Sequence, residues 1–62
     1  MTDRFYTQRV GGTYLIMDRV FAHKVVVRAT SGLVAGTRRL KNEGEVARWV
    51  ADKCADLNRE YE

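Results

Sequence analysis

The sequence predicts an α+β domain: a three-stranded antiparallel sheet packed against one C-terminal helix, with a fourth strand at one edge as an open alternative. Three observations predict it. Residues 13–19 and 24–30 are rich in β-branched and aromatic side chains. Residues 43–61 repeat apolar side chains at helical spacing. Glycines and short polar stretches punctuate the chain between these runs. The 62 residues form one domain, 1–62, because domains rarely split below roughly 100 residues.

Phe5 to Val10 reads as a short edge strand. Gly11-Gly12 suits a tight turn or a bulge, since glycine reaches positive φ without strain. Thr13 to Arg19 is the first well-marked strand. Val20 to His23 connects it to the second, Lys24 to Thr30. In that strand strict alternation places Val25, Val27 and Ala29 on one face, and Lys24, Val26, Arg28 and Thr30 on the other. Ser31-Gly32 opens a loop that reaches Gly36. Thr37 to Lys41 reads as a short third strand, with Leu40 on one side and Arg39 on the other.

The helix has the clearest signature. Asn42 is a good N-cap and Glu45 follows three residues later, as in a capping box. Glu43 and Glu45 complement the positive end of the helix dipole. Val46, Val50, Cys54, Leu57 and Tyr61 fall within an arc of about 80° at 100° per residue. Trp49 flanks that stripe and reads as packing at the sheet rim. Arg48, Asp52, Asp56 and Arg59 lie opposite. Such a helix covers one sheet face, because neither element hides its apolar side alone.

Composition excludes several classes. Leu, Ile, Val and Phe supply 15 of the 62 residues, too many for a disordered chain. No apolar run approaches the roughly 20 residues that span a bilayer. Met1-Thr2-Asp3-Arg4 is not followed by an apolar stretch, which reads as no signal peptide, and a free thiol then points to the cytoplasm. Cys54 is the single cysteine, so no internal disulfide forms. One Cys and one His do not make a zinc site of the usual type. No cofactor is implied. A domain this small buries only about 60 % of its unfolded surface, so a partner or a homodimer is expected to support it.

The net charge of +3 hides an asymmetry. Residues 1–41 hold eight cations and two anions, whereas residues 42–62 hold three cations and six anions. The expectation is a basic sheet backed by an acidic helix. A basic face attracts phosphates, and each cation seated near one releases a counterion. Arg28, Arg38, Arg39 and Lys41 are the expected nucleic-acid contacts, with Arg9 and Lys24 as additions. Tyr6 would stack on bases if it lay on the open face, while Tyr14 shares parity with Ile16 and reads as core.

Catalysis is not expected. His23 is the one general base near neutral pH, and Asp18 and Ser31 are its only obvious partners. No Gly-x-Ser-x-Gly elbow is present. Cys54 reads as a small buried hydrophobe. Gly32-Leu-Val-Ala-Gly36 lacks the Gly-Lys-Ser/Thr of a phosphate loop and reads as a flexible connection.

Tyr14-Leu15-Ile16-Met17-Asp18, Val25-Val26-Val27-Arg28-Ala29 and Leu57-Asn58 together resemble a pattern found in short uncharacterised proteins of bacteriophages and actinobacteria. Those chains have a Tyr-hydrophobic-Asp strand, a Val-rich strand and a helix ending near Leu-Asn. This sequence departs from them at Val20-Phe21-Ala22-His23, where a Thr-Gly turn is usual. The resemblance implies a small accessory protein and no activity. The element order, with Arg28, Arg38, Arg39 and Lys41, is also similar to the DNA-binding domain of plant ethylene-response factors and the arm-binding domain of tyrosine recombinases. That similarity is one of architecture, and implies a sheet laid in the major groove with a helix behind it.

Two functional readings follow. One is a non-enzymatic module that binds nucleic acid through its basic sheet face. The alternative is a protein-binding accessory or inhibitor factor, such as a phage protein engaging an acidic surface on a host enzyme, or a small homo-oligomeric structural protein.

Overall fold

The structure is a computed structural model that describes residues 3–61. Met1, Thr2 and Glu62 lie outside the described residues, and of these Glu62 enters the charge balance above. Three strands form an antiparallel meander in the order β1-β2-β3: β1 (Phe5–Val10), β2 (Thr13–Asp18) and β3 (Lys24–Ala29). A separate two-stranded hairpin follows, β4 (Val34–Ala35) and β5 (Arg38–Arg39). Helix α1 (Glu43–Glu60) ends the fold and packs on β1 and β2.

The Gly11-Gly12 turn sets the first register. Gly11 has φ +61°, and glycine at the first central position suits the mirror-image turns that match strand twist. Two turn residues pair Val10 with Thr13 and, counting back, Phe5 with Asp18. The edge strand read from residues 5–10 is therefore the third strand of the sheet.

Residues 37–41 do not join that sheet. Gly36, at φ +67°, turns the chain back on itself, so Arg38–Arg39 pairs with Val34–Ala35 within the expected loop. The ladder extends one step: the Leu40 N–H donates to the Leu33 carbonyl at 2.9 Å. Leu40 is fully buried and Leu33 packs beside it against the core. The expected alternation of Leu40 and Arg39 holds, but it serves a hairpin clipped to the core by two leucines.

Strict alternation in β3 also breaks. Ile16 pairs with Val27 and Met17 with Val25, which leaves Val26 as an extra residue in a bulge. Val26 and Val27 consequently both line the cleft beside α1. Past the bulge, Val25 takes the face of its partner Met17.

Phe5, Ile16, Ala29, Leu40, Val46, Val50 and Cys54 form the core, with Tyr14, Val27, Leu33, Trp49 and Leu57 partly buried around it. Leu15 is buried on the opposite face, between its cross-strand neighbours Gln8 and Arg28. Asn42 caps α1 by accepting from the Glu45 N–H at 3.0 Å. Glu45 returns the bond one residue earlier than a capping box does, accepting from the Lys41 N–H at 2.6 Å. The helical stripe is buried through Cys54, half-buried at Leu57, and leaves Tyr61 54 % exposed. Among the described residues no helix is long and apolar enough to cross a membrane.

Candidate functional site

The six cations singled out from the sequence fall into three settings. Arg9 pairs across the sheet with Tyr14, on the helix side, and its guanidinium lies 5.7 Å from that ring. It also meets Glu43 at the start of α1 at 3.2 Å. Arg9 is thus separated from the open face and neutralised. Arg28 lies on the open face, opposite Leu15. Lys24 sits at the far end of β3, opposite Asp18. Arg38 and Arg39 are adjacent and exposed on β5, and Lys41 is exposed where the chain leaves the hairpin.

From Arg19 to Lys41 the sequence contains no Asp or Glu. Among the described residues, Lys24, Arg28, Arg38, Arg39 and Lys41 form no ion pair, nor do Arg19, Arg48 and Lys53, whereas Arg4, Arg9 and Arg59 are each paired with a carboxylate. Five of the eight cations without an ion pair among the described residues therefore lie on β3, on β5 or just after it. They do not coat the whole open sheet face. That face is largely neutral, presenting Tyr6, Gln8, Val10, Thr13, Leu15 and Met17 by strand parity.

A second feature was missed in the sequence. Arg4 donates from Nε and Nη2 to the two oxygens of Asp18, both at 3.0 Å. Asp18 is 3 % exposed and also accepts from the Val20 N–H at 3.0 Å. The Arg4 hydrogen bonds hold the Asp18 carboxyl below its ordinary range, against the opposite pull of burial. The same bonds push Arg4 upward. The guanidinium also lies near Phe5, Phe21 and Tyr61, 5.0–5.2 Å from each ring centroid. The turn register made this legible: once Phe5 opposes Asp18, Arg4 is the adjacent cation.

These rings wall a cleft of about 520 Å³ between β3 and α1. Val26, Val27, Leu57 and Lys53 complete it. Phe21 is 61 % exposed at its mouth. The turn that presents Phe21 is strained, with Ala22 and His23 both at φ +56°. A second, shallower trough of about 430 Å³ runs along the opposite margin, between β1 and α1.

His23 and Asp18 are not brought together as acid and base. The His23 Nδ1 is 2.8 Å from the Tyr6 hydroxyl, while Arg4 and Val20 occupy Asp18. Tyr6 lies on the open face, but Arg19 covers its ring at 4.1 Å. Cys54 is buried, and burial with the nearby Asp3 charge pushes its thiol up, away from the reactive thiolate. Among the described residues no three His, Cys, Asp or Glu converge as a metal site. Compared with protein-family models, with curated proteins and with solved structures, the chain matches none.

Proposed function

We propose that this chain is a small non-enzymatic binding module that holds nucleic acid along the margin formed by β3 and the β4–β5 hairpin. Arg28, Arg38, Arg39 and Lys41 contact phosphates, and Lys24 extends the contact to the far end of β3. Arg9 drops out of the set because Glu43 neutralises it. One observation supports this reading above others: a stretch of 23 residues without a carboxylate supplies six exposed cations that form no ion pair among the described residues, five of them on β3, on β5 or just after it. A reduced, buried Cys54 fits a cytoplasmic setting.

The test is salt-dependent binding of a labelled duplex and a labelled single strand. Log affinity falls with log salt by about 0.9 per phosphate neutralised on a duplex. The double variant Arg38→Ala, Arg39→Ala flattens that slope by about 2, with little change in stability. No retention of either strand form at low salt refutes the proposal.

The cleft supports a second reading, a protein-binding accessory factor. Its exposed Phe21, Val26 and Tyr61 are of the kind that anchor interfaces. A pull-down from nuclease-treated lysate separates the two. Loss of all bound material favours nucleic acid; retention of one stoichiometric protein, abolished by Phe21→Ser, favours the cleft.

A further inference from the structure

The outer edge of β1 is open along part of its length. Successive residues of a strand turn their backbone groups to alternate sides. The Arg4 carbonyl accepts from the Arg19 N–H at 2.9 Å, so Arg4, Tyr6, Gln8 and Val10 face β2, while Phe5, Thr7 and Arg9 face outward. Asn58 closes the first of these. Its side-chain oxygen accepts from the Phe5 N–H at 2.8 Å and its amide donates to the Phe5 carbonyl at 3.0 Å. One amide thus stands in for a neighbouring strand. Among the described residues nothing does the same for Thr7 or Arg9.

We infer that this edge is a homodimer interface, where β1 of one copy pairs antiparallel with β1 of a second. With Phe5 plugged, only Thr7 and Arg9 offer outward backbone groups. A two-fold arrangement that uses both sets Thr7 opposite Arg9 of the second copy and gives four backbone hydrogen bonds. Gln8 then faces Gln8 across the axis. The result is a continuous six-stranded sheet with both helices on one face.

Three observations favour a second copy as the occupant. The edge is charge-balanced: Asp3 and Arg19 line its trough, and Arg9 is paired with Glu43. Two copies therefore meet without like-charge repulsion, and a charged foreign segment finds no net charge to read. The β3 edge, with Lys24 and Arg28, would repel itself. Next, the helix sits over β1 and β2. With strands about 4.8 Å apart, a helix above the midline of those two strands lies about 10 Å from its symmetry mate, near the 8–10 Å of packed helices. Finally, the helical wall of the trough is formed by Ala51, Cys54, Ala55 and Asn58, and the small Ala51 and Ala55 side chains permit that approach. This inference is independent of the nucleic-acid reading, because it uses the opposite margin.

The test is sedimentation of the full chain from 1 µM to 1 mM, combined with cysteine cross-linking. Opposed residues at a non-hydrogen-bonded antiparallel position have Cα atoms about 4.5 Å apart, within disulfide range. Gln8→Cys is expected to cross-link readily under mild oxidation. Val10→Cys is not, because in this register its two copies lie about 13 Å apart. Gln8→Lys places like charges on the axis, and is expected to weaken dimerisation by roughly three- to fivefold without changing the circular dichroism spectrum. A strict monomer at 1 mM overturns the proposal. So does cross-linking at Val10→Cys as fast as at Gln8→Cys, which would place the contact in another register.

Discussion

The two edges of the sheet solve one problem in opposite ways. The β3 edge is bulged at Val26 and carries Lys24 and Arg28, and the hairpin with Arg38 and Arg39 follows it in the chain. A bulge and a row of cations are both means of preventing strand addition. The β1 edge is unbulged, charge-balanced and plugged at a single residue by Asn58. One margin carries cations without ion pairs; the other is charge-balanced and, among the described residues, keeps two backbone positions open. In a chain this short, dividing these properties between two edges would let the proposed self-association and the proposed anion binding coexist without competing for surface.

Substitutions test how far the two margins are independent. The largest effect is expected at Ile16, fully buried in the central strand between them. Ile16→Ala is expected to lose about 2–5 kcal/mol, comparable to the whole stability of a domain of this size. Both edges should then be lost together in a urea titration. Unfolding of one margin before the other would show that they are separate cooperative units.

Asp18→Asn comes next and acts on the β3 side, where it strands Arg4 among three rings. It is expected to lower the melting temperature at pH 7 more than removing the exposed Arg9–Glu43 pair does. The pH dependence has a definite sign. Asp18 is depressed in the folded state, so its contribution is fully present above the ordinary carboxyl value of about 4. It is lost as pH falls through the lower folded value. The melting temperature of the parent chain should fall across that acid window, and the Asp18→Asn variant should show a shallower decline.

The smallest effect is expected at Asn58, which acts on the β1 side. Asn58→Ala removes the two hydrogen bonds to the Phe5 backbone, each worth about 0.5–1.5 kcal/mol net, and a long one to the Cys54 Sγ. It also frees Phe5 for pairing. Dimerisation should then tighten, and a second register with Thr7 on the axis becomes available. In this background Thr7→Cys should begin to cross-link. Unchanged self-association would show that Asn58 does not limit the edge.

Much of this was legible before any coordinates. The helix, its Asn42 cap and its buried stripe follow from local spacing and side-chain chemistry. The β1–β2 register follows from a two-residue glycine turn. The misplaced third strand has a physical cause: Arg38-Arg39 shows alternation about Leu40, but alternation does not say which strand is the partner. The choice was made by Gly36, whose positive φ folded the segment onto its predecessor. The bulge at Val26 was hidden because Val25, Val26 and Val27 are chemically identical, so a slip of register leaves no mark in the pattern. For the site, the carboxylate-free stretch was visible, yet the diversion of Arg9 to Glu43 depended on where the helix docks.

The Phe5–Asn58 bond joins residues 53 positions apart, and this orders events in time. Hairpins with short turns close early, while contacts between distant segments wait for the larger loss of chain entropy. A meander that forms before the helix docks would present the outward backbone groups of Phe5, Thr7 and Arg9 without a partner. Chains refolding together at high concentration would then meet through a longer and less selective edge than the finished protein displays. The docking of one amide side chain would then narrow the edge to two positions, so that in the proposed dimer fidelity of pairing would be imposed at the end of folding.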